Sequence, residues 1–286
     1  MRVRYRSIVV STHDSPVEVQ GKSVRGSDFV QSLERGLAVI LCFGPDRPEL
    51  TLAEVAKNTG LTRAAARRFL LTLVELGYVR NEGRFFSLRP RVLELGYAYL
   101  SGLSLAEVAQ PQVEDFVASI HESSSISVLD GDDIVYVVRV PTKRIMTISI
   151  SVGTRFPAYC TSMGRVLLAN LPDGEIDRYL ARAHFEPRTQ RTVFHPKELR
   201  TILSRVRDSG YALIDQEMED GLRSVAVPIR DTSGHVIAAM NVSVNSHRVS
   251  VRELREELLP QLREAANQIQ LDFHGRHLRD SARVRG

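Results

Sequence analysis

The amino-acid sequence predicts an α+β chain of two domains: a few short helices closed by a β-hairpin, then a larger domain whose antiparallel sheet is covered by helices. Three observations lead there. The chain has 286 residues, too many for one average domain and enough for two that each bury a core. Its composition, 43% hydrophobic and 25% charged, is that of an ordinary globular protein rather than a disordered or fibrous one. Its strand and helix signals are also segregated into blocks, not alternated as the βαβ units of a parallel sheet would be.

Residues 1–26 mix Gly, Ser and charges without a period and are expected to form a disordered arm. From Phe29, apolar residues at Phe29, Leu33, Leu37, Ile40 and Leu41 follow helical spacing, with Ser27 or Asp28 as N-cap and Gly44-Pro45 as the stop. After a loop over 45–49, Thr51 caps a short helix that turns Leu52, Val55 and Ala56 inward and ends at Gly60. Thr62 caps a third helix, with Phe69, Leu70, Leu73 and Leu76 apolar, Arg63, Arg67 and Arg68 projecting away, and Ala64, Ala65 and Ala66 allowing close backbone approach. Two short helices joined by a Gly-containing turn, the second basic at its N-terminal end, form a helix-turn-helix, in which that end enters the DNA major groove. Tyr78–Arg80 and Phe85–Leu88 then read as strands about the turn Asn81–Arg84, with Gly83 well placed. That hairpin is a wing, so 27–89 is predicted to be a winged helix-turn-helix.

Charge supports a nucleic-acid partner through its position, not its size. The net charge is only +4, but Thr51 to Arg91 carries eight basic residues against three acidic ones, leaving the remainder slightly negative. A domain that neutralises phosphates beside one that does not would be distributed in this way. Thr51, Thr62, Arg63, Ala65, Arg67 and Arg68 are the candidates for groove and phosphate contact, with Arg84 on the adjacent backbone or minor groove.

Pro90 to Leu100 is helical in pattern and starts at a proline, which suits a first helical turn, so a linker helix over 90–102 is expected between the domains. Ser104 to His121 is a second amphipathic helix. Strands are expected at Ser125–Leu129, Ile134–Val140 and Ile145–Val152, followed by a loop from Gly153 to Thr161. Helices follow at Ser162–Leu171, Ile176–Ala183 and Pro196–Ser209, then strands at Tyr211–Ile214, Ser224–Pro228 and Val236–Val244. A long closing helix runs from Val251 to Asp272, and 276–286 is a basic tail. The domain over 103–275 therefore has an antiparallel sheet under helices, a shape that commonly cups a small ligand.

Ser32-Leu33-Glu34-Arg35-Gly36-Leu37, the run Leu52 to Arg68, the stretch Val152 to Ala169, and Gly221-Leu222-Arg223-Ser224-Val225-Ala226-Val227-Pro228-Ile229 together resemble the IclR family of bacterial regulators. The resemblance covers nearly everything from Ser27 to about Gly275. Pro157 to Val166 further resembles the branch that controls protocatechuate, p-hydroxybenzoate and β-ketoadipate catabolism. The resemblance implies a GAF-like effector-binding domain and a repressor or activator of aromatic-acid degradation. It also implies a homodimer or dimer of dimers on a double-stranded DNA operator, released or engaged by a small organic acid. Carried over by motif, the effector positions are Ile145, Ile148, Phe156, Ser162, Met163, Ser224, Asn241 and Ser243. An acid at a helix N-terminus would find donors in Ser162 and the amides of Met163 and Gly164, and Arg155 is the nearest candidate cation. Ile214 stands where the family can hold an acidic residue.

Enzyme readings find little support. There is no Gly-x-Ser-x-Gly elbow, His-Glu-x-x-His, Gly-x-x-x-x-Gly-Lys or Gly-x-Gly-x-x-Gly, so no catalytic residue, metal or cofactor is expected. His184, His195, His235 and His247 are scattered, although one could meet Asp215 and Ser162 in space. An adaptor whose winged domain binds protein is the remaining alternative and would show no salt-dependent affinity for duplex DNA. Cys42 and Cys160 fall in different domains with no metal-ligand spacing and are expected as free thiols. The longest apolar run, Leu37 to Phe43, is far short of the roughly 20 residues that span a bilayer, so no membrane partner and a cytoplasmic location are expected.

Overall fold

The computed structural model describes residues 29–44, 46–96, 104–142 and 150–283, with side chains as far as His274. Contacts divide the chain into two units, Met1–Tyr97 and Ala98–Gly286.

The first unit runs α1 (Gln31–Leu41), β1 (Glu49–Thr51), α2 (Leu52–Thr59), α3 (Arg63–Glu75), β2 (Val79–Glu82) and β3 (Phe85–Leu88). Its core gathers Val39 of α1, Leu50 of β1, Val55 of α2, Ala66, Leu70 and Leu73 of α3, and Val79 and Phe86 of the hairpin. Two threonines set the helix starts. Thr51 and Glu54 form a reciprocal capping box, the Thr51 amide donating to Glu54 Oε2 at 2.8 Å and the Glu54 amide to Thr51 Oγ1 at 3.4 Å. Thr62 Oγ1 accepts from the Ala65 amide at 3.2 Å, and Gly60 ends α2 at φ +67°, a left-handed conformation that glycine adopts without strain.

Three expectations need correction here. Helix α1 starts at Gln31 with Val30 at its N-cap and no side-chain cap; Ser27 and Asp28 lie outside the described residues. The stretch read as loop contains β1, which pairs Leu50 with Phe86 and makes the wing a three-stranded sheet in the order β1-β3-β2. A three-residue strand is too short to show a period, and its last residue already serves as a cap. The segment from Pro90 begins as a 3₁₀ turn, Pro90–Leu93, not an α-helix; 94–96 are helical and 97–103 lie outside the described residues.

The second unit contains α4 (Ser104–Ile120), β4 (Ser123–Asp130), β5 (Asp133–Val140), β6 (Arg155–Pro157), α5 (Ser162–Ala169), α6 (Asp173–Arg182), α7 (Pro196–Ser209), β7 (Ala212–Asp215), β8 (Leu222–Arg230) and β9 (Val236–Asn245). It closes with α8 (Val251–Glu253), a π-helical turn Leu254–Leu258 and α9 (Leu259–Arg283). The closing helix thus runs on to Arg283, into the segment expected to be a basic tail, whose residues 284–286 lie outside the described residues. All strand pairs are antiparallel, in the order β6-β5-β4-β9-β8-β7. No helix among the described residues is long and apolar enough to cross a membrane. The strand expected over Ile145–Val152 is not seen where it can be checked: 150–152 are irregular, and 143–149 lie outside the described residues. The edge strand is instead β6, inside the stretch read as a loop.

Each face of this sheet is covered, and the two faces differ. One carries Ile126, Val128, Val138, Val225, Val227, Ile229, Met240, Val242 and Val244, packed under α4 and α9 with Leu105, Val113, Phe116, Leu262 and Ile269. The other, under α5, carries small and polar residues: Ser125 and Ser127 of β4, Arg139 of β5, Asn241 and Ser243 of β9, and Ser224 and Ala226 of β8. Because side chains alternate across a strand, this division is fixed by register, and it places the polar row at one end of α5.

Candidate functional site

In the first unit the side chains named as DNA contacts fall on two neighbouring elements. Arg63, Arg67 and Arg68 lie on α3 and are exposed, Thr62 caps that helix in the open, and Ala65 is half-buried one turn in. No ion pair engages these three arginines among the described residues. Thr51 is occupied by its own capping box at the start of α2. Arg84 is exposed at the wing turn, its guanidinium 4.9 Å above the Phe85 ring. Arg80, by contrast, is engaged by Glu49 at 3.7 Å and Glu82 at 3.2 Å. The Glu54 carboxyl sits below its ordinary range because the Thr51 amide and hydroxyl donate to it, with a smaller contribution from Arg84. The outcome is a helix start carrying three uncompensated guanidiniums beside a basic hairpin, which suits a polyanion.

In the second unit the start of α5 is held by backbone proximity and an ion pair. Thr161, not Ser162, is the N-cap: its Oγ1 accepts from the Gly164 amide at 3.2 Å. Gly164 packs directly on the 3₁₀ turn Ala158–Cys160, where a Cβ would fall 2.1 Å from the Ala158 carbonyl oxygen. Arg165 is buried; its Nε donates to the Tyr159 carbonyl at 2.8 Å and its fork meets Glu217 at 2.8 and 2.6 Å. Glu217 also accepts from the Val193 amide at 2.9 Å. Helix, turn and two loops are therefore locked together, and Ser162 and Met163 are presented to the sheet.

Four of the expected effector residues form a linked strip there. Ser224 Oγ donates to Ser162 Oγ at 2.9 Å, and Asn241 Nδ2 donates to Ser243 Oγ at 3.0 Å; all four are buried, with Met163 beside them in the core. Ile214 is the next residue in register after Ser224, so β7 adds an apolar side chain to this row. Phe156 lies out on β6, edge-on to Tyr136 at 5.9 Å. Ile145 and Ile148 lie outside the described residues.

Arg155 does not join the strip. It sits on the edge strand, bonded to Asp130 at 2.5 Å and Asp133 at 3.2 Å, and its charge is spent on the β4–β5 turn. Among the described residues, the strand cation on the α5 face is Arg139, which sequence reading missed together with Ser125 and Ser127. The signal was available: Ser123-Ser124-Ser125-Ile126-Ser127 puts serine at every second position of a strand, and Arg139 interrupts an otherwise apolar one. Ser162 is taken by Ser224, and Asp215 by Arg223 at 2.8 Å and Arg191 at 3.1 Å. No three His, Cys, Asp or Glu side chains among the described residues converge on a metal position. Cys42 and Cys160 are free and buried, and burial pushes both thiols up to about 11, so neither is a thiolate near neutrality.

Comparison with known proteins places these features together. The chain matches the description "IclR helix-turn-helix domain" over residues 32–83 and "Bacterial transcriptional regulator IclR C-terminal" over 97–271. It is 47% identical over 243 residues to the Pca regulon regulatory protein of Pseudomonas putida, covering 85% of this chain and 84% of that one. A solved structure from Rhodococcus sp. RHA1, described as a transcriptional regulator, is 56% identical with a TM-score of 0.76, covering 85% of this chain and 98% of that one. An IclR homolog from Microbacterium hydrocarbonoxydans complexed with 4-hydroxybenzoate is 26% identical with a TM-score of 0.75, covering 84% and 98%. With an exposed basic helix α3 in one unit, a polar strip buried under α5 in the other, and both family matches lying across them, the chain belongs to the IclR family of bacterial transcriptional regulators.

Proposed function

We propose that this regulator controls a catabolic operon for an aromatic acid, grips its operator through α3 and the wing, and changes that grip when a small organic acid binds on the α5 face of the sheet. The observation that carries the effector half is the buried strip Ser162–Ser224 and Asn241–Ser243: each pair shares one hydrogen bond and Asn241 Oδ1 has none, so this row of hydroxyls and an amide keeps donor and acceptor capacity that a polar ligand can meet. Support for the acid comes from the neighbour that holds 4-hydroxybenzoate and from the Pca regulon relative. Protocatechuate, p-hydroxybenzoate and β-ketoadipate are the first candidates.

For the DNA half, Arg63, Arg67 and Arg68 reach groove and phosphate, Thr62 and Ala65 let the helix start approach closely, and Arg84 meets the backbone beside it. The protein acts in the cytoplasm as a homodimer or dimer of dimers, since a two-fold reader matches half-sites one helical turn apart. A gel shift on the DNA upstream of its own and neighbouring genes, at two salt concentrations and with each acid, tests both halves. A specific shift altered by one acid is expected; no shift at low salt would return the adaptor reading.

A further inference from the structure

Arg139 enters the α5 face near the end of β5, in register with Ser125 and, one strand further, with Asn241. It is partly buried, and its Nη1 donates to Ser125 Oγ at 2.9 Å. No carboxylate pairs with it among the described residues. Three other arginines of this unit do meet carboxylates: the buried Arg165 and Arg223 meet Glu217 and Asp215, and the exposed Arg155 meets Asp130 and Asp133. Three buried polar atoms lie on this same face without any partner: Arg139 Nε, Ser127 Oγ and Asn241 Oδ1. Ser127 and Asn241 are 0% and 3% exposed. Buried polar groups are almost always satisfied, and an unpaired buried guanidinium is more costly still. Burial accordingly pushes Arg139 below its ordinary pKa. Two of these atoms, Arg139 Nε and the Ser127 hydroxyl on the adjacent strands β5 and β4, are donors that suit an anion, and the third, Asn241 Oδ1 on β9, is an acceptor that suits a hydroxyl.

We propose that Arg139 is the anchor for the effector's carboxylate, with the Ser127 hydroxyl donating to the same group and the Asn241 amide, oriented by Ser243, meeting a second polar group of the ligand. This rests on the α5 face being the effector site, and it adds what that site selects. The ligand is an ionised carboxylic acid, read from β5 across β4 to β9, and a neutral ester of the same size is rejected. Lysine is a poor substitute for Arg139 because it keeps the charge and loses the planar fork that takes a carboxylate bidentately.

The test uses the full chain, calorimetric titration and thermal unfolding, with 4-hydroxybenzoate, protocatechuate, β-ketoadipate and methyl 4-hydroxybenzoate as probes. The wild type is expected to bind at least one acid and not the ester. Arg139→Met is expected to lose about 100-fold in affinity for that acid and Arg139→Lys somewhat less. Since Arg139 meets no carboxylate among the described residues, Arg139→Met should melt no lower than wild type without ligand. Equal acid affinity in wild type and Arg139→Met, or equal affinity for acid and ester, would overturn the anchor and leave the effector site standing. A lower melting temperature with undiminished acid binding would make Arg139 a structural residue. If the wild type bound none of the three acids at millimolar concentration, the effector reading and the anchor would fall together.

Discussion

Replacing Arg165 with alanine should cost the C-terminal unit about 3–5 kcal/mol, the range for breaking a buried ion pair from one side. The size follows from what is left behind. The Arg165 and Glu217 side chains are 3% and 10% exposed, so Glu217 would keep the Val193 amide and lose two charge-assisted bonds. The Tyr159 carbonyl would lose its guanidinium donor as well. In a unit of this size each kcal/mol moves the melting temperature by about 2–4 °C, so the C-terminal transition should fall by roughly 6–20 °C in differential scanning calorimetry. The first unit has its own core and should melt where it did. The double replacement Arg165→Met with Glu217→Leu should recover much of the loss, because apolar residues of similar volume often replace a buried pair at little cost. A single-variant loss below 1 kcal/mol, or a double variant worse than the single, would refute the reasoning that the pair is dry and mutually dependent.

Gly164→Ala should displace α5, since the new Cβ meets the Ala158 carbonyl, a backbone atom that cannot rotate aside. About 1–3 kcal/mol or more of destabilisation is expected by thermal melting, together with loss of any acid-induced change in DNA binding. Alanine at Arg63, Arg67 or Arg68 should each lower the slope of log affinity against log salt by about 1 in fluorescence anisotropy if the residue meets a phosphate, and leave stability unchanged because none of the three is ion-paired among the described residues. For the capping box, Glu54 titrates below its unfolded value, so its contribution is complete above the ordinary glutamate range and disappears as pH falls through the depressed folded value. The melting difference between wild type and Glu54→Ala should therefore be constant near neutrality and vanish in acid.

Much of this architecture is legible in the sequence because its local signals agree with one another. Thr51 with Glu54 three residues on, Thr62 before the basic run, and Gly60 after its helix are punctuation whose chemistry is local, and the helix expected at Pro196–Ser209 has those bounds in the structure. What failed depended on partners far away in sequence. Strands β1 and β6 have three residues each and exist because β3 and β5 lie beside them. Arg155 and Arg139 look equivalent as letters; only register shows that the first reaches the carboxylates of a turn and the second faces a row of serines. The alternation Ser123, Ser125, Ser127 was a local clue to that row, but it lies in a segment that reads equally well as an amphipathic strand facing water.

The state of the polar groups in the unliganded chain also decides where an effector can exert force. A ligand shifts a conformational equilibrium only through interactions that differ between the two states. At the start of α5 the Gly164 amide, the Thr161 hydroxyl and the Arg165 fork already have partners, so they offer an incoming acid little that is new. Arg139 Nε, Ser127 Oγ and Asn241 Oδ1 have none, and these atoms sit on β5, β4 and β9. The free energy available on binding is therefore concentrated at the middle of the sheet. If the effector changes operator affinity, the movement should start with the relative positions of these three strands, while α5 and the Arg165–Glu217 pair stay as a fixed frame. Hydrogen exchange with and without acid distinguishes the two regions: protection should rise in β4, β5 and β9 and stay constant in α5, and a change confined to α5 would reverse the assignment.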